Sequence, residues 1–468
     1  MTFNRRGLLA GGLGLGALGV IANQSHAATT RRLAATEHAP VTGMDTPTTI
    51  APTSASDSGL LANDQADQSS QLQAAIDRAS ALRIPLALAP GRYRVAGIRL
   101  RSNTVITGSL CTATLVLAKP GALLTAEAAD GIELHHLRLE GALLANGVEP
   151  GALIAFKDCN SLRLSNLDIT SSGGHAIGLD GCSGRITGCR IDNIKDAAIF
   201  AIDSTALDIT ANTISKCGDN GIQVWRRKAG EDGTVVAGNR ITHIAATSGG
   251  SGQNGNGINV YRAAGVLVEA NRITDCAYSA VRGNAASNLQ ILANSCQRIG
   301  EVALYVEFGF EGTVIANNLV DGAAAGISVT NFNEGGRLAV VQGNLIRNLT
   351  RREHEPVDKR GEGISVEADA SVTGNTIENA PTAGIVIGWG RHMRECVANA
   401  NLIRNAGVGI MISADGEAGA CFVTGNMISA SKDGAIRAMD KGKPLGPDLA
   451  REAVATSGRV VVVGNMAV

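Results

Sequence analysis

A short motif built around an asparagine recurs nine times in this chain and constrains its fold more than any other feature. The motif is a small residue, asparagine, any residue and an apolar residue, as in Ala211-Asn212-Thr213-Ile214. Successive copies lie 23 to 32 residues apart, and Ala or Gly precedes each asparagine. The nine are Asn212, Asn239, Asn271, Asn294, Asn317, Asn344, Asn375, Asn401 and Asn426. A repeat of this length indicates a stack of similar structural units.

Each repeat also carries a second run in which apolar residues alternate with others, as in Gly221-Ile222-Gln223-Val224 and Gly257-Ile258-Asn259-Val260. A period of two is typical of strands with one buried face. Three short strands cannot bury an apolar face alone, whereas stacked coils close around a common core. The sequence therefore predicts an all-β fold, a right-handed parallel β-helix of about a dozen coils.

The asparagines are expected to form a ladder at one corner of the coils. At such a bend a buried asparagine tolerates left-handed backbone torsions and can hydrogen-bond the asparagines above and below it. Earlier repeats keep the apolar frame but place Leu137, Leu167 and Cys189 at the asparagine position.

The N-terminal region divides into two segments that precede the repeats. Arg5-Arg6 lead into an uncharged, Gly-rich run, and residues 25–27 offer a cleavage site, so residues 1–27 are predicted to be a twin-arginine signal peptide. The run is too short to span a membrane comfortably. We therefore expect a periplasmic or secreted protein without stable membrane insertion after cleavage. Residues 28–66, rich in Thr, Ser, Ala and Pro, are predicted to be a flexible leader.

A single β-helix domain is predicted over residues 67–468, capped at its N-terminal end by a short helix at residues 69–82. Asp67 or Ser69 can cap the first turn of this helix. The apolar residues that share one of its faces are Leu72, Ala75, Ile76 and Ala79.

The repeat resembles that of the pectate-lyase-like superfamily of parallel β-helices. Residues 67–107, with their LQAAID, APGRYRV and NTVITG segments, resemble the entry of its exopolysaccharide-lyase and epimerase branch. The predicted signal joined to this helix also resembles a bacterial family of twin-arginine-exported repetitive proteins of unknown function. The resemblance implies that a substrate lies along the outside of one parallel sheet and that the twin-arginine export machinery is a partner.

The strand with the Gly-Ile run is the equivalent of that sheet, and its alternation assigns the outward side chains. With Ile222 and Val224 inward, the neighbouring positions point outward in every coil. Rings beside arginines on such a face suggest stacking on sugars with cationic contacts to acid groups. The insertions Thr247–Gly255 and Arg351–Glu362, the latter with His354, are expected to border the face. The predicted residues are Gln223, Trp225, Arg226, Asn259, Arg262 and Glu367 for substrate binding, and Tyr261, Arg282, Tyr305 and Glu307 for catalysis.

Two enzymatic reactions fit this face. A uronate lyase or C5-epimerase needs an arginine or a metal to neutralise the substrate carboxylate and a base to remove the adjacent proton. Arg282 between Tyr261 and Tyr305 is predicted to supply both roles, with Glu307 assisting. An inverting hydrolase needs two carboxylates about 6.5–9.5 Å apart. Glu307 and Glu367 are expected two coils or about 10 Å apart, which is only marginally compatible with that distance. The clustered aspartates of polygalacturonases are also missing from the sequence.

The predicted function is thus to bind or modify an acidic polysaccharide by lyase or epimerase chemistry. The alternative is a non-catalytic envelope scaffold or binding module. Nucleic acid is excluded as a partner, since 41 Lys+Arg against 42 Asp+Glu leave no basic field. No metal or other cofactor is expected. Most of the nine cysteines are expected to be small buried thiols, with a bridge between Cys396 and Cys421 left open.

Overall fold

Each repeat contributes one strand to each of three parallel sheets that wind around a common interior. A computed structural model describes residues 53–54, 58–147, 151–250, 252–351, 360–451, 454–457 and 459–468. These residues form a right-handed parallel β-solenoid of about 13 turns, as predicted. The predicted signal peptide, the leader up to residue 52 and His354 lie outside the described residues.

Sheet 1 holds the strands that precede the asparagine corner. All of its pairings are parallel except that of the last two strands, which are antiparallel. Its strands are Thr53–Ser54, Leu86–Ala87, Val105–Thr107, Glu133–His135, Leu162–Ser165, Gly184–Thr187, Leu207–Thr210, Val235–Ala237, Leu267–Glu269, Leu289–Leu292, Glu311–Ala316, Arg337–Gln342, Ala370–Thr373, Cys396–Asn399, Cys421–Thr424, Val454–Ser457 and Val460–Val463.

Sheet 2 holds the strands that follow the corner. Two long strands, Thr376–Ile387 and Leu402–Ser413, pass from sheet 2 into sheet 3 and join the two. The other strands of sheet 2 are Gly91–Val95, Ala113–Leu117, Arg138–Glu140, Asp168–Ser172, Arg190–Ile194, Thr213–Cys217, Arg240–Ile244, Arg272–Cys276, Ser295–Gln297, Leu319–Asp321, Leu345–Arg347, Met427–Ser429 and Met466–Ala467.

Sheet 3 is built from the Gly-Ile strands and positions the candidate site. Its strands are Ile98–Arg99, Leu124–Glu127, Ala152–Lys157, His175–Asp180, Ala197–Ile202, Asn220–Glu231, Asn256–Ala264, Val281–Asn284, Val302–Glu307, Ala325–Val329, Glu362–Val366, Ile436–Asp440 and the antiparallel Lys443–Asp448. The predicted inward residues Ile222 and Val224 are at most 1% exposed and pack in the interior.

The one α-helix among the described residues, Ser69–Leu82, has the predicted bounds. Its four predicted apolar residues are all buried, so it covers the N-terminal end of the core. The Asp67 carboxylate accepts a hydrogen bond from the Ser69 backbone N–H at 2.9 Å, but the N-cap residue is Gln68, which makes no side-chain capping hydrogen bond. Short 3₁₀ helices span Phe332–Glu334 and Leu449–Arg451.

The predicted ladder of buried asparagines is present. The Oδ1 atom of each asparagine accepts hydrogen bonds from the backbone N–H and the Nδ2 atom of the preceding one. For Asn239 these distances from Asn212 are 2.9 and 3.0 Å. The ladder is ten residues long, because Asn465 continues it after Asn426. Cys189 donates its backbone N–H to Asn212 and so occupies the ladder position of its coil, as predicted.

Two details of the predicted ladder are wrong. The fifth member is Asn318, whereas Asn317 is exposed and carries the left-handed torsion, with φ of 59°. Because both positions are asparagine, the sequence did not show which of them belongs to the ladder. In the structure, the burial of Ile315 and Val320 sets the register. In addition, the left-handed residue of every corner is the one before the ladder asparagine, as at Ala211. Small residues and asparagine stand there because they tolerate a positive φ.

The nine cysteines are free thiols, and eight of them are buried. Cys396 and Cys421 face each other on neighbouring strands of sheet 1, and both are free. Burial raises the pKa of the Cys189 thiol to about 12. The expectation of small buried thiols is thereby confirmed for most of them. No helix among the described residues is long and apolar enough to cross a membrane.

Candidate functional site

Register across sheet 3 brings the predicted outward residues together in two rows. Neighbouring strands align Asn259 with Arg282 and Arg282 with Tyr305. The second row runs beside the first, two residues further along each strand, and places Tyr261 and Glu307 on either side of Asn284. The predicted catalytic residues therefore lie on one face of one sheet.

These side chains point away from the core but are less exposed than expected. Arg282 and Tyr305 are each 6% exposed and Glu307 is 3% exposed. Part of the cover is the loop at residues 247–255, which lies over the Arg282 guanidinium through Gly252. The alternation gives the direction of a side chain, whereas exposure depends on the loops above it.

Buried polar residues at the start of two sheet 3 strands fix this loop. The Asp219 carboxylate accepts hydrogen bonds from the Ser248 hydroxyl at 2.7 Å and from its backbone N–H at 2.9 Å. Asn220 donates to the Gln253 carbonyl at 3.1 Å, and Asn256 donates to the Gly252 carbonyl at 2.9 Å. The loop is thus held against the sheet from both ends.

Under the loop edge lies a cleft of about 680 Å³. Six of the ten predicted site residues line it, which are Trp225, Asn259, Tyr261, Arg282, Tyr305 and Glu307. Five further residues complete the lining, which are Gly252, Gln253, Asn284, Phe308 and Asn331. The walls are therefore mainly aromatic rings and amides, with one guanidinium and one carboxylate.

The remaining four predicted residues do not line the cleft, and one of them, Glu367, lies in a neighbouring pocket. Gln223 is 4% exposed and lies one strand before Asn259. Arg226 is half-buried and its guanidinium packs beside Gly230. Arg262 is exposed and lies 4.8 Å from the centre of the Tyr261 ring, outside the cleft.

Each nitrogen of the Arg282 guanidinium contacts a carboxylate. Nε and Nη2 contact Glu307 Oε1 at 2.7 and 2.6 Å, and Nη1 lies 3.5 Å from Glu301 Oε2. The guanidinium carbon is 4.9 Å from the centre of the Tyr305 ring. A Cβ atom added to Gly252 would lie 1.6 Å from Nη1, so the Gly252 backbone packs against the guanidinium.

This environment differs from the one that the predicted role of Arg282 requires. An arginine that neutralises a substrate carboxylate must present free N–H groups to it. Here all three nitrogens already contact protein carboxylates, so Arg282 positions Glu307 and at most two of its five N–H groups are left for a ligand. Asn284 adds a third donor to the same Glu307 oxygen, at 3.3 Å.

Tyr305 is suited to donate a hydrogen bond and not to remove a proton. Burial raises the pKa of its phenol well above the ordinary value, and the neighbouring Glu307 carboxylate raises it further. The phenol therefore stays protonated at neutral pH. Next to it the Glu307 carboxylate is an acceptor, so the site offers a donor and an acceptor side by side.

Aromatic rings form the other end of the cleft. The Trp225 and Tyr261 rings lie 5.6 Å apart, and Phe200 packs edge-on against Trp225 at 5.5 Å. The indole N–H of Trp225 donates to Asn259 Oδ1 at 2.9 Å, which fixes the ring at the cleft wall. Such rings offer a large apolar surface while their polar edges stay hydrogen-bonded.

Beyond Tyr305 and Asn331, which both cavities share, a second pocket of about 230 Å³ extends the cleft. It contains Glu367, whose carboxylate accepts a hydrogen bond from the Phe332 backbone N–H at 2.7 Å. Trp389 also lines it. No cluster of His, Cys, Asp and Glu suited to a metal ion occurs in the part of the chain that the structure describes.

Several residues of the site were not found from the sequence. Asn284 lies two residues after Arg282 on the same face, so the alternation already implied it. Gly252 belongs to the Thr247–Gly255 insertion that was expected to border the face, but its contact with Arg282 depends on the path of the loop. Glu301 carried no signal, because its position depends on where a strand starts. Phe310, an aromatic residue just after a strand, is 1% exposed and belongs to the core.

Comparison with known proteins agrees with the architecture. The sequence matches the right-handed β-helix region family over residues 146–241, 175–346 and 228–398, which together cover more than half of the chain. The chain belongs to this family. Each repeat forms one coil of the solenoid, and the stacking of coils aligns the asparagine corners and the outward face of sheet 3. No curated protein sequence matches the chain.

Solved β-helix structures resemble the fold at low identity. A surface adhesin of Streptococcus pneumoniae, PfbA, matches with a TM-score of 0.50 and 15% identity over 89% of this chain and 99% of the adhesin. The catalytic unit of a GH87 alpha-1,3-glucanase from Streptomyces thermodiastaticus matches at 0.44 and 12%, over 89% of this chain and 68% of the enzyme. The Azotobacter vinelandii mannuronan C-5 epimerase AlgE6 A-module matches at 0.38 and 13%, over 89% and 99%. At these identities the likeness concerns the fold alone.

Proposed function

We propose that this β-helix protein binds a polysaccharide in the cleft on sheet 3. The observation that carries the proposal is the convergence of Trp225, Tyr261 and Tyr305 with a set of amides in a single cleft. Aromatic faces pack against the apolar faces of sugar rings, and amides can both donate to and accept from hydroxyl groups. A second pocket adjoins the cleft at Tyr305 and Asn331, which is consistent with a ligand longer than a monosaccharide.

The reaction expected from the sequence, a lyase or a C5-epimerase, acts on a uronate, because the C6 carboxylate makes the C5 proton acidic. In that reaction Glu307 would accept the proton, while Arg282 positions Glu307 through two N–H groups. The Arg282 guanidinium is already paired with Glu307 and Glu301, so the cleft offers little to a substrate carboxylate. We therefore propose binding as the function of the cleft, and the reaction is tested separately.

The binding proposal is tested with a glycan array followed by calorimetry on the best ligand. Trp225→Ala and Tyr261→Ala should each weaken binding at least tenfold, because each removes a wall of the cleft. Phe422→Ala is the matched control, since this ring is 41% exposed on sheet 1. Absence of binding to every glycan would overturn the proposal and favour the scaffold alternative.

The reaction is tested on the glycan that binds. Unsaturated products, reducing ends and inverted C5 centres distinguish lyase, hydrolase and epimerase. Glu307→Gln and Tyr305→Phe should abolish product formation while binding persists. Binding without any product over a long incubation would leave a binding module and contradict the reaction expected from the sequence.

We also propose that the chain is exported through the twin-arginine pathway to the periplasm or beyond. Support comes from the paired Arg5-Arg6 and the cleavage site at residues 25–27. Residues 1–27 fused to a folded reporter should direct it out of the cytoplasm, whereas the same fusion with Arg5→Lys and Arg6→Lys should not. Export of both fusions would contradict the proposal.

A further inference from the structure

We infer that the polysaccharide which the cleft accepts is uncharged along the stretch that it binds. This rests on the proposed function and replaces the acidic substrate that the sequence suggests. The argument depends on what surrounds Arg282, the one basic residue among the eleven described residues that line the cleft.

The positive charge of Arg282 is already matched within the protein. Its guanidinium contacts Glu307 and Glu301, and these three side chains are between 2% and 6% exposed. One guanidinium and two carboxylates carry a formal charge of minus one. A cluster so far removed from water is weakly screened by salt.

A uronate would place a further carboxylate beside this cluster. Glu307 lines the cleft and pairs with two nitrogens of the guanidinium, and Tyr305 and Gly252 pack against the same group, so a carboxylate that approaches Arg282 also approaches Glu307. Like charges at this distance repel, and the repulsion grows as water leaves the cleft. A sugar hydroxyl at the same position can donate to Glu307 and suffers no repulsion.

The other polar groups of the lining also suit hydroxyls. Gln253, Asn259, Asn284 and Asn331 present amides, which carry no net charge and both donate and accept. The exposed Arg262 lies outside the cleft over the Tyr261 ring and donates to the Arg227 carbonyl at 3.0 Å. Its charge is in water and screened, so it adds little selectivity for an anion.

Matched oligomers of equal length test the inference. Mannose oligomers are compared with mannuronate oligomers, and galactose oligomers with galacturonate oligomers, because each pair differs only at C6. The neutral member of the pair that binds should bind at least tenfold more tightly, and its affinity should not change between low and high salt. Tighter binding of the uronate member would overturn the inference while leaving the proposed function intact. If both members of both pairs fail to bind and the glycan array is also negative, the proposed function itself fails.

A charge variant separates electrostatics from shape. Glu301→Gln keeps the size of the side chain, leaves the Glu307 contacts of Arg282 in place and brings the cluster to a formal charge of zero. It should raise uronate affinity at least fivefold and leave the affinity for the neutral oligomer unchanged, which also reports that the cleft is intact. Glu311→Gln is the control, since Glu311 pairs with Arg337 on sheet 1. An unchanged uronate affinity in Glu301→Gln would contradict the inference.

Discussion

Replacing one asparagine in the middle of the ladder should destabilise the solenoid strongly. Asn344 is 1% exposed, and its side chain makes four hydrogen bonds of 2.9 to 3.0 Å. Two come from the backbone and side chain of Asn318, one goes to the Ile315 carbonyl and one to Asn375. Asn344→Ala removes all four and strands the buried Asn318 N–H.

The expected cost follows from these contacts. At about 1 kcal/mol net for each intramolecular hydrogen bond, the loss is about 4 kcal/mol. Whole domains are stable by about 5–15 kcal/mol, so this is a large fraction of the total. At the end of the ladder, Asn465 is half-buried and water can replace its partners, so Asn465→Ala should cost about 1 kcal/mol.

Urea unfolding, monitored by circular dichroism, measures these differences in unfolding free energy from the shift in the midpoint urea concentration, provided that the m-value is unchanged. Gln290→Ala is the control, because Gln290 is an exposed amide on sheet 1, and its change should stay within about 0.5 kcal/mol. If Asn344→Ala cost no more than Gln290→Ala, the ladder would not stabilise the fold and the reasoning would be refuted.

Three further predictions follow from the site and the core. Gly252→Ala should weaken glycan binding, because its added Cβ would displace the Arg282 guanidinium. Gly249→Ala is the control, since its φ is also positive but nothing lies within 4 Å of its added Cβ; equal binding by both variants would contradict the contact between Gly252 and Arg282. In the native protein, iodoacetamide should modify at most Cys111, since the other eight thiols are buried, and rapid modification of several thiols would argue against the core. As the pH rises above about 10, the wild-type protein should lose more stability than Tyr305→Phe. The reason is that the Tyr305 phenol ionises in the unfolded chain, whereas burial raises its pKa in the folded protein. Parallel profiles of unfolding free energy against pH would contradict this.

Most of the fold could be predicted because one physical rule repeats along the chain. Inward Ile and Val residues every second position, with a corner motif once per coil, specify a closed stack and its register. The rule fails where two neighbouring residues satisfy it equally. At Asn317 and Asn318 both registers keep an apolar residue two positions after the asparagine, the preceding Ala316 favours Asn317, and only the burial of Ile315 and Val320 assigns the ladder to Asn318.

The directions of the side chains in the candidate site could be predicted from the sequence, but the ion pairs that they make could not. Alternation placed Tyr261, Tyr305 and Glu307 on one face because it depends on local backbone geometry alone. Whether Arg282 is free depends on Glu301 and on the loop through Gly252, which other coils bring into contact with it. Such contacts arise only from the stacking of coils, and no local pattern encodes them.

A crystal structure of the protein soaked with the uncharged oligomer that it binds best would test the account most directly. The account predicts sugar rings along sheet 3 between Trp225 and Tyr305, with hydroxyl groups at Glu307 and with Glu301 still on Arg282. An oligomer bound on sheet 1 or sheet 2, or a uronate carboxylate bound to Arg282 in place of Glu301, would contradict it.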